Sequence, residues 1–175
     1  MKTILAALSL ITVFAAYAQT TPEIKEDFML DWPDSEHWKV GSVQESGQVK
    51  LIELIHEDET LDKWTEFGNM MSLKGVTIPV EKAMNAMYDQ SLKNAPDAKL
   101  TLFEKDEKAE YPWIIFKIES PRFNNDPKPE SQLWYIVQGK GGLYTNFRAV
   151  KEKKISKAQE EKWIAFFKTG KVVAQ

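Results

Sequence analysis

The segment "VKLIELIHE", Val49 to Glu57, has no polar face. Successive side chains of a strand point to opposite sides. Val49, Leu51 and Ile55 therefore share one side, and Ile52 and Leu54 the other. A strand that is apolar on both sides must be covered on both sides. That requirement places a sheet in the middle of the molecule with other elements layered above and below it. The preceding "HWKVGSVQ" and the turn residues "ESG" make this strand the second arm of a hairpin.

The rest of the chain supplies the layers. "IPVEKAMNAMYDQSLKNA" is the clearest helix, with Val80, Ala83, Met84, Met87, Tyr88 and Ser91 at helical spacing. Pro79 suits its first turn and Glu81 its positive dipole end. Four strands follow: "AKLTLFEK", "YPWIIFKIES", "SQLWYIVQ" and "LYTNFRAV". The last two flank "GKGG", read as a hairpin turn whose glycines supply positive φ, because no helix follows to form a phosphate cradle. The final helix is "SKAQEEKWIAFFKTG", with a Ser156/Gln159 capping box and Gly170 at the C-terminal cap. Between the hairpin and the first helix, "DETLDKWTEF" reads as a short helical turn capped by Asp58 or Thr60, and "GNMMSLKG" as a returning strand. Separated helices among antiparallel strands define the α+β class, an antiparallel β-sheet with helices packed on its two faces.

The N-terminus sets the compartment. Lys2 precedes an apolar run from Ile4 to Ala18, ending in "AYA" before Gln19. That is the pattern of a cleavable signal peptide. The run is 15 residues long, short of the ~20 a membrane-spanning helix needs. The expected organisation is a signal peptide at 1–18, an extended arm at 19–37 pinned by Phe28, Met29, Leu30 and Trp32, and one α+β domain at 38–175. No transmembrane helix is expected in the mature chain, and the location is periplasmic or secreted. The chain has no cysteine, so thiolate metal sites, redox pairs and disulfide staples are excluded. A formal charge of −3 gives no basic footprint for nucleic acid.

Chemistry-bearing motifs are few. The two histidines are His37 and His56. His56, Asp58 and Glu59 could offer metal ligands, but the acids suit a helix start equally well. No G-x-S-x-G, H-E-x-x-H or calcium-loop pattern occurs. Neither metal nor cofactor is expected. Trp113, Trp134, Tyr135 and Tyr144 fall on strands expected to be neighbours, as core or as a groove for peptide or a small apolar ligand. The candidate ligand or partner site is therefore His56, Trp113, Trp134 and Tyr144.

The element order, with "ETLDKWTEF" ahead of "IPVEKAM" and an aromatic-rich terminal helix, resembles small exported bacterial proteins with the PsbP-like or DcrB-like α/β/α sandwich. The resemblance is one of topology over residues 38–170 and carries no functional residue. It implies a binding or accessory role outside the cytoplasm. Nuclear-transport-factor-like and cystatin-like α+β folds are the alternatives. Two functions follow as expectations: a non-catalytic envelope module for a protein partner or small ligand, or a periplasmic hydrolase using His56 or His37 as base.

Overall fold

The computed structural model describes residues 25–174. The expected signal peptide and the first part of the arm lie outside the described residues. Nine strands and two α-helices follow in chain order, with a 3-10 turn at Asp34–Glu36 between the first two strands: β1 (Glu26–Met29), β2 (Trp38–Ser46), β3 (Val49–His56), β4 (Glu66–Lys74), α1 (Val80–Asn94), β5 (Lys99–Asp106), β6 (Trp113–Ser120), β7 (Glu130–Gln138), β8 (Gly142–Val150), α2 (Lys157–Phe167) and β9 (Lys171–Ala174). Seven of the strands form one sheet in the order β2-β3-β4-β8-β7-β6-β5. Every neighbouring pair in it is antiparallel. The α+β class is thus observed.

The two-sided strand sits where its composition demands. One face of the sheet carries Leu51, Met71, Leu73, Ile114, Phe116, Trp134, Ile136 and Leu143, packed with Val80, Ala83, Met84 and Met87 of α1. The other carries Ile115, Leu133, Tyr135, Val137, Tyr144 and Val150, packed with Trp163, Phe166 and Phe167 of α2. The capping box of α2 is present at both ends, Ser156 side chain to the Gln159 backbone and Gln159 side chain to the Ser156 backbone. It satisfies two of the donors a helix start leaves unpaired.

The two ends of the described residues are tied together. β1 pairs antiparallel with β9, Phe28 opposite Val172. Phe28 sits on Tyr135 and Tyr144 at ring-centroid distances of 5.9 and 5.8 Å. Of the expected pinning residues, Phe28 and Leu30 are buried and Trp32 is partly buried, whereas Met29 is 54% exposed. Alternation along β1 turns Met29 away when Phe28 turns in.

Two local expectations need correction. Residues 58–65 form tight turns, not a helix. Thr60 and Lys63 exchange backbone hydrogen bonds, and the Glu59 carboxylate accepts from the Thr65 N–H at 2.8 Å and its hydroxyl at 2.6 Å. β3 and β4 are sheet neighbours, Leu54 opposite Gly68, so the connection must reverse within a few residues. Side-chain-to-backbone bonds close that reversal more readily than a helix nucleus forms. Second, the glycines of "GKGG" and Gly170 do not adopt positive φ; Gly47 and Gly75 do. Close approach explains Gly139, Gly142 and Gly170 instead. A Cβ on Gly142 would lie 2.7 Å from the Leu73 carbonyl oxygen, and one on Gly170 would run into the Phe28 ring.

Trp64 is 4% exposed and packs with Ile55, Phe67 and Ala149 beneath this turn. Trp64→Ala is expected to cost about 3–5 kcal/mol in urea unfolding, the range for a buried aromatic. Asp58 is exposed and caps no helix, so Asp58→Ala is expected to change stability by less than about 0.5 kcal/mol.

Candidate functional site

The four sequence candidates do not come together. His56 ends β3 on the α2 face, with Nδ1 2.8 Å from the Glu36 carbonyl oxygen and its ring 4.3 Å from that of Trp38. Trp113 and Tyr144 share a row at the other end of that face, flanking Val137. Tyr144 lies under Phe28, and its hydroxyl donates to Glu26 Oε1 at 3.3 Å. Burial and the Glu26 charge push that phenol upward from its ordinary range. Trp134 points to the α1 face and is 3% exposed. Tyr144 and Trp134 are therefore core residues, and Trp113 is partly buried under Lys168.

His56 borders a larger cluster that the sequence did not reveal. Arg148 of β8 is 1% exposed. Its Nη2 donates to Glu36 at 2.7 Å and to Glu66 at 2.8 Å. The rings of Trp38, Trp163, Phe166 and Trp32 surround the guanidinium at 4.9, 4.9, 5.5 and 5.7 Å. Glu36 also accepts from Trp38 Nε1 at 2.9 Å and pairs with Lys162 of α2 at 3.0 Å. Burial alone would raise the Glu36 carboxyl. Hydrogen bonds from Trp38 and Arg148, the Arg148 charge and Lys162 outweigh it and hold the carboxyl at about 2. Carboxylates and ring faces enclose this cation. The arrangement is a lock between β8, β4, the 32–38 segment and α2. Histidine chemistry is not set up beside it. His56 meets a backbone carbonyl, and the exposed His37 lies 3.9 Å from Glu57. Neither has a hydroxyl partner in the hydrogen bonds seen among the described residues.

The α1 face holds a different arrangement. One row crosses the sheet as Ser42, Glu53, Asn69, Phe147, Trp134 and Phe116. Thr145 lies one step along β8, opposite Met71 and Ile136. Glu53, Asn69 and Thr145 are 3%, 4% and 0% exposed. Glu53 and Asn69 form a polar seam between two apolar clusters, and Thr145 borders it one row toward the first of them. α1 covers one, and the 58–65 turn with Trp64 covers the other. Glu53 Oε2 and Thr145 Oγ1 are buried without a hydrogen-bond partner. Phe147 is the aromatic of this row left partly exposed, although β8 is the middle strand of seven. Its ring lies 4.5 Å from Trp134 and 5.9 Å from Phe67. The cover over the seam is therefore incomplete at Phe147. Burial pushes the Glu53 carboxyl upward, and a hydrogen bond with Ser42 only partly offsets this.

A surface depression lies away from this seam. A depression of about 190 Å³ is lined by Pro96, Arg122, Phe123 and Asn124, and Arg122 there is already paired with Asp97 at 2.8 Å. No group of three or more His, Asp or Glu able to hold a metal is found among the described residues. No helix among them is long and apolar enough to cross a membrane.

No family model and no curated protein matches the chain. Among solved structures, it is similar to a protein from Bacteroides thetaiotaomicron with 17% identity and a TM-score of 0.42, covering 88% of this chain and 49% of that chain. The chain thus spans about half the length of that protein.

Glu36 and Glu53 predict opposite acid behaviour. The Glu36 carboxyl is lowered from 4.5 to about 2, so its stabilisation is present above pH 4.5 and lost as pH falls toward 2. Glu36→Gln is expected to lower the urea midpoint at pH 7 and to flatten its decline between pH 4.5 and 2. The Glu53 carboxyl is raised, so its contribution is fully present below pH 4.5 and is lost as pH rises through the folded-state value. Glu53→Gln is expected to stabilise by about 1–2 kcal/mol at pH 7, the scale of an unpaired buried polar group, with the gain vanishing near pH 4.

Proposed function

We propose that the protein is an exported, non-catalytic binding module of the bacterial envelope that receives a small ligand in the seam between α1 and the 58–65 turn. One observation carries this reading. Glu53 Oε2 and Thr145 Oγ1 are buried on the same sheet face without partners, next to the partly exposed Phe147. An unpartnered buried polar group costs about 1–3 kcal/mol, and a ligand that supplies hydrogen bonds removes that cost. Two such groups beside an opening are what a site waiting for its ligand presents.

Export rests on Lys2, the apolar run from Ile4 to Ala18 and the "AYA" that closes it. A place among the PsbP-like or DcrB-like sandwiches is supported by helices on both faces of one antiparallel sheet. A hydrolase built on His56 or His37 draws no support from the imidazole surroundings. His56 meets a carbonyl and His37 stands in solvent.

Native mass spectrometry of protein purified from envelope extract tests the binding role. The expected spectrum contains a small-molecule adduct that collisional activation removes and that Asn69→Leu abolishes. A wild-type protein carrying no adduct, with the same urea midpoint before and after exhaustive dialysis, would overturn it. N-terminal sequencing of the exported chain checks the compartment, with Gln19 the expected first residue and Met1 the result against it.

A further inference from the structure

The chemistry of the seam narrows its ligand. The following rests on the seam being a ligand site at all. An anion would meet the Glu53 carboxyl. Of the basic residues toward that end of the face, Lys39 donates to the Glu57 carbonyl oxygen at 2.7 Å and Lys151 sits 4.1 Å above the Trp64 ring, while Arg148 belongs to the opposite face within its own cage. A purely apolar ligand would leave both orphan oxygens as they are. No group of three or more His, Asp or Glu that could hold a bare metal ion is found among the described residues.

What remains is a donor with positive charge. Glu53 supplies an acceptor oxygen with no partner, and Thr145 a second. Asn69 lies between them in the sheet, paired with Glu53 and diagonal to Thr145. Its amide adds a third oxygen. The floor beside these oxygens is aromatic: Phe147 with Trp134 at 4.5 Å, and Phe67 beyond. A carboxylate next to ring faces in a site shielded from water favours a compact cation. Phe147 is the ring open to solvent, so the cation would enter there and any remaining part of the ligand would project outward past it.

We propose that the seam binds a small organic cation, an ammonium group held by Glu53 with Asn69 as its neighbouring acceptor and Thr145 beyond, and with Phe147, backed by Trp134, as its aromatic wall. The test compares choline with neohexanol, its neutral isostere in which carbon replaces the ammonium nitrogen, by saturation-transfer NMR and tryptophan fluorescence titration. Choline is expected to bind at least about tenfold more tightly than neohexanol. Glu53→Gln is expected to remove that advantage and leave neohexanol unchanged, while the protein stays folded by urea titration. Phe147→Leu is expected to weaken choline several-fold. Equal affinity for the two probes, or choline binding unchanged in Glu53→Gln, overturns the cation assignment and leaves the seam as a site for a neutral ligand. Binding of neither probe overturns the cation assignment too, and the native-mass adduct then decides separately whether the seam is a site of any kind.

Discussion

The Arg148 guanidinium is the interaction on which the rest of the α2 side depends. A charge that is 1% exposed is tolerated only when it is paired and hydrogen-bonded. Its partners come from three places: Glu66 on β4, Glu36 before β2, and rings from the 32–38 segment and α2. Meeting the needs of one cation therefore fixes where the N-terminal segment crosses the sheet and where α2 docks. Lys162 of α2 repeats the tie from the other side of Glu36. Gly68 completes it, because a Cβ there would collide with the Trp32 ring. The ribbon of β1 and β9 then closes over Tyr135 and Tyr144.

The opposite face is organised by coverage instead. α1 packs on β6 and β7 and seals the Ile114, Phe116 and Ile136 side of the sheet. The 58–65 turn seals the Ile55, Phe67 and Ala149 corner. Neither reaches fully across Phe147, which both clusters share as a partly buried neighbour. A seam between two covers is where a sheet face can keep polar groups without losing its core. Glu53 and Asn69 occupy that line, with Thr145 one row toward α1. The α1 side of the sheet is thus stable at its two ends and chemically unfinished in the middle.

Much of this architecture was legible. The two-sided pattern of β3 demanded layers, the period of α1 named its buried face, and the Ser156/Gln159 pair marked the start of α2. The failures were local or relational. Acidic residues at 58 and 59 suit a helix start, but the sheet register required a reversal instead. "KVVA" is too short to show a period, and it became a strand only because β1 was there to pair with it. The site was the least visible part. Histidine and tryptophan draw attention by residue type, whereas the seam consists of an ordinary Glu, Asn and Thr. A signal was present in "LIELIHE" and "LYTNFRAV", where Glu53 interrupts the apolar side of β3 and Thr145 precedes Phe147 on the same side of β8. Recognising it required knowing that β3 and β8 flank β4, which is long-range pairing that no local pattern encodes.

The protein thus buries two opposite charges on opposite faces of one sheet. They cannot neutralise each other, because β4 separates their strands and their side chains leave in opposite directions. Each must be met on its own side. Arg148 is met by two carboxylates and four rings, all from elements that the fold places around it. Glu53 is met by a hydrogen bond with Ser42, and one of its oxygens has no partner. The difference lies in what surrounds each charge. Arg148 is closed in by carboxylates and ring faces of its own chain, although its Nε and Nη1 have no hydrogen-bond partner, and that enclosure contributes to specifying the fold. Glu53 keeps an unpartnered oxygen beside a ring that solvent reaches, and so retains free energy that a ligand can recover.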